Sequence, residues 1–139
     1  MIAWEERMDQ QQLWVEPSGG IILARIRGVP SEPLLRACQE RVLRLIQVTG
    51  QCRVLYDALE LELPTVDPAL VQQKLEAELD PTVRLRRAIV VPNTRVAYLA
   101  RIAFGEGDYR VFYNDFLAAI RWLEEDAPYQ GSLRDPKDL

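Results

Sequence analysis

The 139-residue chain contains no histidine. That removes the commonest general base and the commonest transition-metal ligand from its chemistry. Hydroxyl nucleophiles are also scarce. The serines are Ser18, Ser31 and Ser132, and none sits in a nucleophile-elbow pattern. The two cysteines, Cys38 and Cys52, match no metal-ligand spacing. Cys38 falls inside an apolar helical pattern, where a free cysteine acts as a small hydrophobe. An excess of basic residues is missing too. With 17 Lys and Arg against 21 Asp and Glu, the formal charge is −4. A mildly acidic surface disfavours nucleic acid and anionic lipid. No run of apolar residues is long enough to span a bilayer. The first twelve residues, MIAWEERMDQQQ, carry acids and lack the basic start and apolar centre of a signal peptide. A cytoplasmic location is the expectation, with no metal and no cofactor.

What is present is ordinary globular composition: 48% hydrophobic and 27% charged residues. A chain of this length is expected to form one domain and to bury one core. "LWVEPSGGIILARIRG" holds two apolar runs around Pro17-Ser18-Gly19-Gly20 and predicts a β-hairpin. "SEPLLRACQERVLRLIQVTG" predicts a helix capped by Ser31, with Pro33 in its first turn and Gly50 as its stop. Leu34, Leu35, Cys38, Val42, Leu45 and Ile46 share one face of it. "CRVLYDA" predicts a short buried strand. "DPALVQQKLEAELDP" predicts a surface helix capped by Asp67, with Pro68 first and a narrow stripe of Val71, Leu75 and Leu79. The continuous run Ala88–Val91 suits a central strand covered on both faces. Asn93 caps the next helix, whose core face is Val96, Ala97, Leu99, Ala100, Ala103 and Phe104. "YRVFYN" is the last strand. "DFLAAIRWLEEDA" is the last helix, with Phe116, Ile120 and Leu123 as core contacts. The fold class is therefore α/β: a single domain in the order β-β-α-β-α-β-α-β-α. Its sheet is mostly parallel with an antiparallel N-terminal hairpin, and helices cover the faces. The core runs from about 13 to 125, with irregular ends at 1–11 and 128–139.

Three stretches then carry a resemblance. They are "AIVVPN", "LARIAF" and "YRVFYNDFLAAIRWL", with the pairs Ala100-Arg101 and Val111-Phe112 and the helix end Ala119-Ile120-Arg121-Trp122-Leu123. Together they resemble the SpoIIAA-like proteins of the STAS/Sec14-type fold, over most of the chain from about Leu13 to Leu123. The resemblance implies a small cytoplasmic α/β module that binds or regulates rather than catalyses. In the anti-sigma-factor antagonist branch, a Ser or Thr at the start of the second helix is phosphorylated. The equivalent stretch here, "DALELELPTVDP" from Asp57 to Pro68, has no serine. Its one hydroxyl, Thr65, stands between Glu62 and Asp67, so the phospho-switch does not carry over. The Sec14-related branch implies binding of a small apolar ligand or lipid.

Two candidate sites follow. In open α/β sheets ligands bind beyond the carboxyl ends of the strands. Asp57 and Asn93 mark two such ends, and Thr94 and Thr65 stand nearby, making a ligand or anion rim at a helix start. The competing explanation is that Asp57 and Asn93 only satisfy turns and caps. The second candidate is a partner surface for another protein or a second copy, as in a homodimer. Arg95, Tyr98, Arg101 and Ile102 recur at helical spacing away from the core face. Leu59, Leu61 and Leu63 alternate with Glu60 and Glu62 in the preceding stretch. That stretch is either an added edge strand or a loop with one apolar side. Arg84, Arg86 and Arg87 add positive charge nearby.

Overall fold

The computed structural model describes residues 12–125, so the expected irregular ends lie outside the described residues. Nine elements follow in the expected order. They are β1 (Leu13–Ser18), β2 (Ile21–Ile26), α1 (Glu32–Thr49), β3 (Arg53–Asp57), α2 (Asp67–Ala77), β4 (Arg86–Val91), α3 (Thr94–Phe104), β5 (Tyr109–Tyr113) and α4 (Phe116–Glu124). Only Gly19 and Gly20 form the hairpin turn, both at positive φ (55° and 92°), as a two-residue primed turn requires. Pro17 and Ser18 belong to β1 itself, pairing with Ile22 and Ile21. Proline is tolerated there because β1 is an edge strand.

The sheet order is β1-β2-β3-β4-β5, with β1 antiparallel and the rest parallel. Sequential order with right-handed crossovers puts every crossover helix on the same face. α1 packs on Ile22, Ala24, Ile26 and Val54, and α3 packs on Ile89 and Val91. α2 lies between them, in contact with both. Among the described residues α4 is the helix that covers the opposite face, where Ala119 and Leu123 meet Leu55, Ala88 and Val90. Alternation along each strand sorts these residues between the two layers.

Caps fix the helix starts. Ser31 Oγ accepts from Leu34 N–H at 3.2 Å, and Gly50 ends α1 in the left-handed region. Replacing Ser31 by Ala is expected to lower stability by about 1 kcal/mol, measured by urea denaturation. α2 departs from expectation. Asp67 is its first helical residue rather than its cap, and the cap position falls on Val66, which offers no side-chain hydrogen bond. Thr65 Oγ1 instead accepts from Asp67 N–H at 3.3 Å. The helix ends at Ala77, before Leu79, and buries only Ala69 and Leu75. In α4 the fully buried pair is Ala119 and Leu123, with Phe116 and Ile120 half-buried.

β4 holds the largest surprise. All six of its residues are buried, including Arg86 (5% exposed) and Arg87 (4%). The arginines alternate between faces, as expected, but both point inward instead of adding surface charge. Arg86 reaches the α4 layer: its guanidinium stacks 3.7 Å from the Trp122 ring and donates to Trp122 O at 2.9 Å. Arg87 reaches the other layer and meets both carboxylate oxygens of Glu76 on α2, at 2.8 and 2.9 Å. Adjacent arginines thus pin helices on opposite faces to one strand.

Candidate functional site

The expected rim is not assembled. With sequential strand order, the sheet has no point where the order reverses and opens a crevice. Asp57 closes a turn: its Oδ1 accepts from Leu59 N–H at 3.1 Å, and its Oδ2 lies 3.6 Å from Arg25 Nε. Asn93 Oδ1 accepts from Val96 N–H at 2.9 Å and so caps α3. Thr65 serves the start of α2, and Thr94 is exposed on the first turn of α3. Asn93 borders a shallow basin with Arg27, Glu60 and Glu62, where Arg27 is already paired with Glu60 and Glu62 adds a negative charge that disfavours an anion. Asp57 borders a different depression, and Thr65 and Thr94 border neither.

The partner surface is also redrawn. Gly28 and Leu61 form a one-residue parallel bridge, with Gly28 N–H donating to Glu60 O and Glu62 N–H to Gly28 O, both at 2.9 Å. The stretch is a connection stitched to the sheet, not an added edge strand. Its leucines do not face solvent together. Leu59 packs into the α4 layer, Leu61 beneath α1 and α3, and Leu63 against α3. Ile102 packs towards Ala69 and Leu99. A side chain that gains apolar neighbours is held inward, which is why the spacing misplaced these four residues. Arg95, Tyr98 and Arg101 remain exposed. Arg95 is occupied, donating to the Leu63 and Pro64 carbonyls at 2.9 and 3.1 Å.

The structure brings together a site that the sequence did not show. A cleft with room for about 90 Å³ lies between the sheet and α1, α2 and α3. Ala24, Tyr56 and Ile89 floor it, Leu35 and Cys38 of α1 form one wall, and Ala69, Ala100 and Ala103 form the other. Five alanines from four segments leave the space, because no long side chain reaches the middle (Ala24, Ala58, Ala69, Ala100, Ala103). At about 24 cal/mol per Å³, leaving it unfilled costs roughly 2 kcal/mol. The polar groups on its border already have partners. Gln39 Nε2 donates to Leu75 O at 3.1 Å, and Gln72 Nε2 donates to Glu76 Oε2 at 2.8 Å. Tyr56 shares a hydrogen bond with Arg87. An occupant therefore finds apolar surface and few free hydrogen-bonding groups.

Burial sets the ionisation of this region. It pushes the Cys38 thiol from 9.0 up to about 12, against the pull of Arg41. It also raises the Tyr56 hydroxyl above its ordinary 10.0, with Cys38 adding to the shift. A raised thiol pKa means the folded chain holds a proton that the unfolded chain releases. The associated stability is complete below pH 9 and is lost as pH rises towards 12. Moving from about pH 8 to about pH 10 should lower stability by roughly 1 kcal/mol, and Cys38→Ala should remove most of that fall. Urea denaturation at the two pH values measures it.

Comparison with known proteins bears on the fold. No family model matches the chain, and no curated protein matches it. A solved structure does: an uncharacterised protein of the DUF3478 family with a SpoIIAA-like fold, from Shewanella loihica PV-4. It is 21% identical, covers 80% of this chain and 91% of its own, and superposes with a TM-score of 0.56. No helix among the described residues is long and apolar enough to cross a membrane. From the strand order, the two helical layers and that likeness, the chain has a SpoIIAA-like fold.

Proposed function

We propose that the chain is a non-enzymatic regulatory module that binds a small apolar ligand in the cleft under α1, α2 and α3. The observation that carries this is the cleft itself: apolar, walled by alanines, and bordered by polar groups that are already bonded. Apolar cavities in proteins take up benzene or xenon for the same reason. The absence of histidine and the use of Asp57 in a turn support a binding role over a catalytic one. The available room suits a compact hydrocarbon group, and a longer chain would need the walls to part.

The test is methyl NMR of the protein under xenon pressure and with saturating benzene. Leu35, Leu61 and Leu63 methyl signals should shift while Leu123, in the other layer, stays still. Ala100→Leu, which fills the cleft, should weaken benzene binding about tenfold or more, equivalent to ~1.4 kcal/mol. Unmoved methyl signals at saturation would end this proposal.

A second role, contact with a protein partner, is favoured by exposed side chains around the start of α2 and on α3. Val66 at the cap position before α2, Leu70 on α2 and Tyr98 on α3 are 40%, 47% and 64% exposed. Tyr is a frequent anchor at interfaces. A concentration series by light scattering tests self-association. Tyr98→Ala should shift any dimer towards monomer, and a strict monomer at all concentrations would rule out the homodimer.

A further inference from the structure

α2 differs from its neighbours in how it is held. α1 buries Leu34, Leu35, Cys38 and Val42, and α3 buries five residues from Val96 to Ala103. α2 buries only Ala69 and Leu75. Both neighbours start on a side-chain cap, and α2 does not. Beyond Ala69, Leu75 and the partly buried Val71, its attachments are polar and unevenly placed. The C-terminal end is tied firmly, by the buried Glu76–Arg87 pair and by Gln39 donating to Leu75 O. The N-terminal end roofs the cleft with Pro68, Ala69 and Gln72. There Ala69 packs on Leu99 and Ala103, Gln73 Nε2 donates to Ile102 O at 3.2 Å, and the exposed Arg95 grips two carbonyls just ahead of the helix, at Leu63 and Pro64. Elements with few buried apolar contacts and solvent-exposed hydrogen bonds open at lower free energy than the rest of a domain.

We infer that α2 is a hinged lid: it pivots at the Glu76–Arg87 end and is clasped at the cleft end by Arg95, so that its opening admits the ligand. The purpose of the lid rests on the ligand proposal above, but its motion does not, and the two can be tested apart. Opening exposes Cys38, which lies beneath α2 and is buried when it is shut. Replacing Cys52 by Ser leaves Cys38 as the only thiol in the chain.

The experiment measures reaction of Cys38 with methyl methanethiosulfonate in that variant, across low urea concentrations. A lid predicts reaction through a partial opening, with a urea dependence much weaker than that of global unfolding. Arg95→Ala should speed the reaction roughly three- to tenfold, because charge-assisted hydrogen bonds at the clasp are lost. Arg101→Ala, about one and two-thirds turns further along α3 and also exposed, should leave it unchanged. Reaction that follows global unfolding, with the same urea slope, overturns the lid. So does an Arg95→Ala rate equal to that of the parent, or an equal acceleration by Arg101→Ala. Saturating benzene then separates the two proposals. Slower labelling supports a ligand held under the lid. Partial opening without protection by benzene leaves the lid standing and removes the ligand.

Discussion

Glu76→Ala is expected to destabilise the chain by about 3–5 kcal/mol, the usual cost of leaving one member of a buried ion pair uncompensated. The geometry explains why a single carboxylate matters this much. Arg87 is 4% exposed, and both terminal nitrogens of its guanidinium are spent on Glu76. Its Nε makes no hydrogen bond, and its flat side lies 4.6 Å from the Phe104 ring centroid. Burial works against the charge on Arg87, and the Glu76 carboxylate and Tyr56 together more than offset it, so the pKa is raised. Without Glu76 that charge keeps an aromatic face, Tyr56 and the half-exposed Asp108, but loses its bidentate carboxylate. The paired replacement Glu76→Leu with Arg87→Met should recover most of the loss, since well-packed apolar residues often match a buried pair. Urea denaturation of the three proteins measures both effects. A loss below about 1 kcal/mol for Glu76→Ala would mean that water already reaches Arg87, and that α2 has no firm pivot.

That pair also shows where sequence reasoning stops. Local signals announced most elements: the glycine turn, the Ser31 and Asn93 caps, and the apolar run of β4. Each depends on neighbours within a turn or a strand, so it can be read along the chain. Arg86 and Arg87 depend on partners elsewhere. Glu76 lies 11 residues before Arg87, and Trp122 lies 36 after Arg86. In isolation two arginines opening an apolar strand read as surface charge. With Glu76 and Trp122 in place they are buried ties. The cleft is less legible still, because alanine is common in helices for reasons of propensity alone. Only the stacking of β2, α2 and α3 brings Ala24, Ala69 and Ala100 to one space. The leucines of Asp57–Pro68 were visible as a pattern. Which side of the chain they covered was decided by the Gly28–Leu61 bridge, a tertiary contact.

Leu123→Ala is expected to cost about 2–5 kcal/mol, and to split the unfolding transition instead of merely shifting it. Leu123 is 0% exposed and, with Ala119, anchors α4 to Leu55, Ala88 and Val90. A nine-residue helix is marginal by itself, so its order comes from this docking. Its main packing is on β3, β4 and β5, while α1, α2 and α3 share the opposite layer. Losing the leucine leaves α4 held by Ala119, the half-buried Phe116 and Ile120, and the Arg86–Trp122 stack, which as one such contact is worth only about 0.5–2 kcal/mol. The opposite layer keeps its own core. With Trp4 and Trp14 replaced by Phe, Trp122 fluorescence reports α4 alone. In Leu123→Ala it should change at lower urea than the far-ultraviolet circular dichroism, whereas in the parent the two coincide. Cys38 should stay protected through the first transition, because the cleft lies on the other face of the sheet. Coincident transitions in the variant would show that the two layers unfold as one unit. In that case α2 could not open without the sheet and α4 taking part.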